Sequence, residues 1–217
     1  TYRGDLEYVT VGEKTTQALR ELSKRQRTTM FMTLMAAYHV WLYRHSRQQD
    51  LLVGTATAGR SRREFQTLVG DFINPVVIRG DLSGNPSFNA FLEQVRRKTL
   101  GAFDHQDYPL PLLVEKLQPA RDPSRTPLYQ TMFILQRAQS SGDRGLQSFM
   151  TGQGEGAMSF SGIEVEALEI DQHDAQFDML LTAVEAGDSI NCQFQFNTDL
   201  FDRDTVRRMA ERFVTLL

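Results

Sequence analysis

Hydrophobic and polar positions alternate in several short segments of the chain, as they do in strands that bury one face. The predicted strands begin at Leu6, Asp50, Asp71, Leu128, Ile163, Phe177 and Ile190. The last two are joined through the residues EAGDS, which are typical of a hairpin. We expect the last three strands to form an antiparallel edge of a sheet.

Apolar residues spaced three or four positions apart predict helices between these strands. A charged helix is expected over about residues 13–27. The segment 30–43 is apolar on almost every side, which is typical of a helix between two layers, and Thr28 or Thr29 can cap its start. The predicted fold class is therefore α/β (α+β), with a mixed β-sheet flanked by helices.

Three further helices follow from capping signals and spacing. Asn85 and Pro86 are expected to supply the N-cap and the first-turn proline of one helix. A short proline-rich helix is predicted near residues 108–117, and an amphipathic helix after the N-cap Asp202. Residues 138–161 are rich in Gly, Ser and Gln, so we interpret them as a long mobile loop.

Composition narrows the class of protein. The chain has 217 residues, of which 41% are hydrophobic and 24% charged, with a net charge of −3, as in a globular protein without general attraction to nucleic acid. No apolar segment is long enough to cross a membrane, and no signal peptide is visible. With Cys192 as the sole cysteine, a disulfide framework is ruled out and a cytoplasmic location is expected. Because the chain opens on Thr1, we expect it to be part of something larger.

Few residues suggest chemistry on their own. His39 and His45 lie in or at the end of the apolar helix, and His173 has no second His or Cys nearby, so no metal site is predicted. His105 and Asp107 resemble a base and its orienting carboxylate, but no nucleophile motif accompanies them, and a structural role is favoured.

Three segments, however, carry a family pattern in the expected order and spacing. They are LVGDFINPVVIRGDL from Leu68, HQDYPLPLLVEKL from His105 and RDPSRTPLYQTMFILQ from Arg121. They resemble the late core motifs of nonribosomal peptide synthetase condensation domains, whose two lobes have the chloramphenicol acetyltransferase-like fold. The matching residues are Gly70, Phe72, Asn74, Arg79, His105, Gln106, Asp107, Pro109, Arg121, Asp122, Ser124 and Arg125.

The resemblance implies that residues 1–217 are the C-terminal lobe of such a domain. The family's catalytic motif, HHxxxDG, belongs to the N-terminal lobe, and this sequence contains no adjacent histidine pair. No catalytic residue is therefore expected in this chain, which alone should be inactive. Two departures from the pattern, Pro75 after the Asn and Leu110-Pro111 in the second motif, leave the subclass open. Pro75 also predicts an edge strand or altered pairing, because it lacks a backbone donor.

The resemblance also implies a function and partners. The complete domain forms amide bonds between acyl or aminoacyl thioesters in nonribosomal peptide or hybrid polyketide-peptide synthesis. The thioesters hang on 4′-phosphopantetheine arms of donor and acceptor carrier proteins, so the partners are these carriers, the N-terminal lobe and adjacent synthetase domains. No directly bound cofactor, nucleic acid or membrane is expected. The alternative is a noncatalytic lobe that serves as a docking module for a carrier or another partner.

Roles for single residues follow from the same comparison. Asn74 would face the substrate tunnel or would satisfy backbone groups at a bend of its strand, and both interpretations stay open. Arg121 and Arg125 are expected to organise a turn through Asp122 and Ser124. The cluster Arg60, Arg62 and Arg63 follows a strand end, where it could steer an acidic carrier or simply be a solvated turn.

Overall fold

The computed structural model describes residues 2–60, 62–120, 122, 125–137, 157–160, 163–166 and 173–217. The chain divides into two compact units. Unit 1 comprises Thr1–Leu22 with Ile134–Leu217, and unit 2 comprises Ser23–Phe133. The chain passes from unit 2 into unit 1 within a β-strand, β4 (Thr131–Arg137). The fold is a mixed sheet flanked by helices, as predicted.

Unit 1 is built on antiparallel strands. Its main strands are β1 (Gly4–Val11), β7 (Met179–Ala186) and β8 (Ser189–Asn197), in the order β1-β8-β7-β4. The helix α1 (Glu13–Arg25) follows β1, and the C-terminal helix, named α5 (Arg203–Leu216), packs on β1 and β8. Of the six residues that the spacing places on the apolar stripe of α5, four are buried, Val206, Met209, Ala210 and Phe213, whereas Val214 and Leu217 are half-buried.

The end of unit 1 differs from expectation in its strand pairing. The β7–β8 hairpin forms, and Gly187 occupies the left-handed conformation in its turn, with φ of 57°. The expected three-stranded antiparallel edge is wrong, because β1 pairs along the outer side of β8. The third strand, β6 (Ile163–Glu166), instead pairs with β5 (Ala157–Phe160) in a separate two-stranded sheet.

The strand β5 also corrects part of the loop prediction. Residues 157–160 belong to the segment that was expected to be a mobile loop, yet they form a strand because β6 supplies their hydrogen-bonding partner. The remainder of that predicted loop, residues 138–156 and 161, lies outside the described residues.

Unit 2 places helices against a smaller group of strands. The strands β2 (Asp50–Thr57) and β3 (Asn74–Asp81) are antiparallel, and β2 runs parallel to the start of β4. The order is β4-β2-β3, so β3 is an edge strand. Pro75 lies in this edge strand, and the prediction of an edge strand from its missing backbone donor is confirmed.

The helices of unit 2 are α2 (Met30–Ser46), α3 (Phe88–Asp104) and α4 (Leu110–Leu117). Thr29 caps α2 by accepting a hydrogen bond from the backbone N–H of Met32, which confirms one of the two predicted caps. The start of α3 was predicted wrongly. Asn85 has φ of 52° in the turn before the helix, Pro86 precedes the cap, and the Ser87 side chain accepts from the N–H of Ala90.

Candidate functional site

The Asn74 side chain joins the first of the three sequence segments to the second. Asn74 begins β3, and its Nδ2 donates to the carbonyls of Gln106 at 2.7 Å and Tyr108 at 3.0 Å. Its Oδ1 accepts from the backbone N–H of Leu110 at 3.4 Å. Both donor hydrogens of the amide are therefore used, and only Oδ1 keeps a free lone pair for another partner.

These contacts bear on the two interpretations of Asn74. The interpretation that Asn74 satisfies backbone groups has three hydrogen bonds in its favour, although the groups belong to the segment between α3 and α4 and not to β3 itself. A tunnel role stays a prediction, and it has to act through Oδ1.

The second segment, His105 to Pro109, is the connection that Asn74 holds. His105 ends α3, and its Nδ1 lies 2.9 Å from the Gly101 carbonyl, to which it donates. Gln106 contributes its backbone carbonyl, and Pro109 is the N-cap residue of α4. Asp107 is exposed on this connection. Because His105 is hydrogen-bonded within its own helix, the geometry agrees with the structural role expected for it.

The described residues of the segment 60–72, which are 60 and 62–72, belong to a loop between β2 and β3 whose ends meet. Gly59 has φ of 60°, and a Cβ built on it would lie 1.7 Å from the carbonyl oxygen of Phe72. No residue with a side chain fits there, because both the conformation and the space require glycine. The loop is an Ω-loop in form: a compact surface segment whose ends are close together.

Arg60 is inside this loop and does not project freely from it. Its Nη1 donates to the Leu68 carbonyl at 2.9 Å and also to that of Phe65, and its Nη2 donates to the Gly70 carbonyl at 3.1 Å. The guanidinium carbon lies 4.6 Å from the centre of the Phe72 ring. Of the three arginines expected to steer a carrier, Arg60 therefore has most of its donors engaged with the protein.

The other two arginines differ from Arg60 in exposure. Arg62 and Arg63 are exposed, and the guanidinium of Arg62 lies 5.8 Å from the ring centre of Phe65. Arg63 begins a short 3-10 helix, Arg63–Phe65. A role for Arg62 and Arg63 in carrier docking stays a prediction.

Arg79 is paired across the β2–β3 ladder. Its Nε and Nη2 donate to the two carboxylate oxygens of Asp50 at 2.8 and 2.7 Å, a bidentate geometry. The hydrogen bond from Arg79 lowers the pKa of Asp50 below its usual value. Arg79 thus links the two strands on an exposed face.

The third segment is only partly described, and Arg121 and Ser124 lie outside the described residues. The carboxylate of Asp122 is 3.6 Å from Nε of Arg125, and the Asp122 carbonyl accepts from the Arg125 N–H. These contacts agree with a turn organised by Arg125. A cleft of about 1040 Å³ is lined by this turn, by α4 and by residues 126–130.

Tyr129, at the end of the third segment, is fixed by β2. A Cβ on Gly54 would lie 2.3 Å from the Tyr129 ring, so the ring packs directly on the glycine backbone. Tyr129 is 4% exposed, and burial raises the pKa of its hydroxyl. Gly54 thus makes room in β2 for an aromatic ring.

The remaining candidates agree with structural roles. His39 is fully buried in α2, with Nδ1 2.9 Å from the Met35 carbonyl and Nε2 3.3 Å from that of Ile78. Cys192 is buried in β8, and burial raises the pKa of its thiol to about 12. His45 and His173 are exposed. Within the part of the chain that the structure describes, no group of three potential metal ligands occurs.

The described helices are also too short or too polar for a bilayer, and none of them has the length and apolar character of a membrane span.

The fold is a mixed sheet flanked by helices that carries the three motif segments, and comparison with known proteins identifies the family. The family model for the condensation domain matches residues 1–217, so this chain belongs to the condensation domain family. The family resemblance inferred from the three segments is confirmed.

The relatives in this family are enzymes of peptide antibiotic synthesis. A linear gramicidin synthase of Brevibacillus parabrevis is 45% identical over 201 residues, which are 92% of this chain and 4% of that protein. Tyrocidine synthase 3 of the same organism is 40% identical over all 217 residues, which are 3% of its length. Bacitracin synthase 3 of Bacillus licheniformis is 34% identical over 99% of this chain and 3% of its own length. This chain thus spans a small fraction of each relative.

Solved structures share the fold. A four-domain nonribosomal peptide synthetase bound to AMP and glycine matches 99% of this chain and 16% of its own with a TM-score of 0.87 at 23% identity. The X-domain from teicoplanin biosynthesis matches 99% of this chain and 46% of its own, with a TM-score of 0.82 at 22% identity. The first condensation domain of the calcium-dependent antibiotic synthetase matches 98% and 44%, with a TM-score of 0.74 at 14% identity.

The partners of Asn74 and Arg60 were missed at the level of sequence. Both side chains bind backbone carbonyls, which every residue carries and which therefore leave no sequence signal. A sequence signal for a loop that packs on itself is present in Gly59, Phe65 and Phe72.

Proposed function

We propose that the chain is the C-terminal lobe of a condensation domain that forms amide bonds between carrier-bound thioesters in nonribosomal peptide synthesis. The observation that carries the proposal is the match of the condensation family to residues 1–217, together with relatives that are peptide synthases. The substrates are an acyl or aminoacyl donor thioester and an acceptor amine, each on a 4′-phosphopantetheine arm of a carrier protein.

The contribution of this lobe in the proposed reaction is positioning. Amide formation joins the acceptor nitrogen to the donor carbonyl carbon, releases the donor thiol and transfers a proton from the amine. Holding two tethered substrates at attack distance converts a bimolecular step into a local one, worth up to about 10 kcal/mol of the barrier in well-oriented systems. In this proposal the family's HHxxxDG histidine is on an N-terminal lobe, and the partners of this chain are that lobe, the two carriers and adjacent synthetase domains.

The hydrogen bonds of the motif residues support this positioning role. Asn74 bonds the backbone of Gln106 from the start of β3, and His105 bonds the Gly101 carbonyl within α3. Contacts of this kind fix the position of the segment between α3 and α4, as a positioning role requires.

A second candidate function is a noncatalytic docking lobe. It is favoured by the likeness to the teicoplanin X-domain, which has been solved as a complex with OxyB and matches 99% of this chain with a TM-score of 0.81. In this alternative the lobe would bind a carrier or another protein without forming a bond.

One experiment separates the two candidates. The longer protein containing this chain is loaded with a radiolabelled donor thioester and an acceptor aminoacyl thioester on its carriers, and amide product is followed over a single turnover. The condensation proposal predicts product in the wild type and none after the first histidine pair upstream is replaced by alanine. Carrier binding without any product would support the docking lobe instead.

A further inference from the structure

The loop formed by residues 60–72 is only partly held in place by burial of its apolar side chains. Val69 is fully exposed and Leu68 is half-exposed, so the hydrophobic effect contributes little to their conformation. Residues 62, 63, 64, 66 and 67 are also exposed. Apart from Phe65 and Phe72, which are half-buried and stack on each other, the loop therefore depends on another interaction to fix its path.

Arg60 supplies that interaction. One guanidinium donates to three carbonyls that are five, eight and ten residues further along the chain, those of Phe65, Leu68 and Gly70. The same group lies over the Phe72 ring, which stacks on Phe65 with ring centres 5.6 Å apart. The planar guanidinium group carries several N–H donors and can bind several carbonyls at once, whereas a lysine ammonium is a single point charge.

The end of the loop leads directly into the motif network. Phe72 abuts the backbone at Gly59, and two residues later Asn74 makes its hydrogen bonds to Gln106, Tyr108 and Leu110. The Thr57 hydroxyl also donates to the Asn74 carbonyl at 2.9 Å. The position of Asn74 thus depends on how the loop before it is closed.

We propose that Arg60 is a positioning residue, which locks the loop of residues 60–72 and thereby sets the start of β3 and the segment that Asn74 holds. The inference rests on the proposed condensation function for its effect on the reaction, but its effect on the loop is independent of that function. It replaces a carrier-steering role for this one arginine.

The test uses the longer protein that contains this chain, with the variants Arg60→Ala, Arg60→Lys and the matched control Arg44→Ala. Arg44 is an exposed arginine in the last turn of α2, and its side chain makes no hydrogen bond or ion pair to a described residue. Hydrogen exchange is measured at the amides of Phe65, Gln66 and Leu68, which are bonded within the loop. Exchange should become about tenfold faster or more in both Arg60 variants, since hydrogen bonds to a charged donor are lost, and not in the control.

Condensation kinetics in the same variants test the consequence for the reaction. Arg60→Ala should lower kcat roughly 10- to 100-fold, as expected for a misplaced reaction surface, with KM for the carrier little changed. Arg60→Lys should not restore kcat, and the loss should be the same at low and high ionic strength.

The possible results separate this inference from the proposed function. Unchanged hydrogen exchange of the loop amides in Arg60→Ala overturns the inference, whatever the activity. Wild-type exchange and kcat in Arg60→Lys would also overturn it, as would a loss of kcat in Arg60→Ala that disappears at high salt. An inactive wild type contradicts the condensation proposal, and the exchange data then decide the role of Arg60 alone.

Discussion

Asn74 and Arg60 use polar side chains to satisfy carbonyls of segments that have no regular secondary structure. A buried or half-buried carbonyl without a donor costs free energy, and loops supply few backbone donors of their own. Each of these two residues meets that need for two or more carbonyls at once. Both are therefore predicted to matter first for local structure, and for the reaction through that structure.

Substitution of Asn74 tests its network directly. Asn74→Ala leaves the Gln106 and Tyr108 carbonyls and the Leu110 N–H without this partner, which should lower the free energy of unfolding by about 1–3 kcal/mol. Asn74→Asp should be at least as destabilising, because a carboxylate would face two carbonyl oxygens. Thermal unfolding of the three proteins measures both effects.

The same variants address the tunnel interpretation. If Asn74→Ala lowers the condensation rate of the longer protein while its melting temperature is unchanged, the structural interpretation fails and the tunnel role is supported. A fall of several degrees with unchanged turnover rejects the tunnel role.

Arg62 and Arg63 can be tested for steering without disturbing the Arg60 contacts. If they attract an acidic carrier, Arg62→Ala/Arg63→Ala should slow carrier association at low ionic strength, and the difference should shrink as salt screens the charges. The control Arg44→Ala/Arg97→Ala removes the same charge from exposed helix positions. Association rates are measured by stopped flow. Equal rates for wild type and the Arg62/Arg63 variant at low salt would exclude a steering role for these two arginines.

At the scale of elements, α2 packs on β3 through a histidine and a glycine. A Cβ on Gly80 would lie 2.4 Å from Cδ2 of His39, so the ring lies directly on the strand backbone. The ring bridges the two elements by its contacts with the Met35 and Ile78 carbonyls. The His39 side chain thus has both a packing and a hydrogen-bonding role in the core of unit 2.

This close packing predicts opposite effects for two glycine substitutions. Gly80→Ala should destabilise the protein by about 1–3 kcal/mol, because the added methyl overpacks against the buried ring. Gly101→Ala should stabilise it by up to about 1 kcal/mol, since Gly101 lies within α3 with open space around its Cα. Urea unfolding midpoints measure both, and a stabilising Gly80→Ala would contradict the described packing.

His39 also predicts a pH dependence of stability. Burial lowers the pKa of His39 below its usual 6.5 in the folded chain, only partly opposed by its backbone hydrogen bonds. The unfolded chain therefore binds the proton more readily, so the stabilisation is complete above about pH 6.5 and is lost as the pH falls below that value.

Unfolding free energies measured between pH 8 and pH 5 test this dependence. As the pH falls, His39 should lower the free energy of unfolding by at most about 1.4 kcal/mol per pH unit. The decrease should be smaller in His39→Gln than in wild type. The exposed His173→Gln is the matched control. An identical pH profile in wild type and His39→Gln would show that His39 does not titrate with folding.

Regular elements with a clear period were predictable from sequence, and pairings were not. The apolar spacing of α2 and α5 and the Thr29 cap depend on local residues alone. The start of α3 was misplaced because Asn85, a good N-cap type, is also well suited to the positive φ that it adopts in the preceding turn. The β5–β6 pair and the partner of β8 depend on contacts distant in sequence, which periodicity does not encode.

For the site, sequence motifs identified the residues but not their contacts. The spacing of Asn74, His105 and Arg125 was sufficient to place the chain in its family. Their bonds are to backbone groups or near neighbours, and only the structure reveals these. Arg60 was assigned to a charged cluster by sequence, whereas its guanidinium is turned inward on its own loop.

At the scale of the whole molecule, the chain combines a condensation-family fold with hydrogen bonds from Asn74 that hold the segment between α3 and α4. The motif residues described in unit 2 connect β3, α3 and α4 through backbone contacts. These contacts suit the proposed role, in which this chain shapes a reaction surface and residues outside it handle the reacting proton.

Single-turnover amide formation tests whether the chemistry of the domain depends on residues outside this chain. The purified 217-residue chain and the longer protein that contains it are each given carriers loaded with donor and acceptor thioesters, and product is quantified by mass spectrometry. We expect product with the longer protein and none with the 217-residue chain, and circular dichroism should show that the chain is folded. Amide formation by the 217-residue chain alone, abolished by His105→Ala, would contradict this expectation.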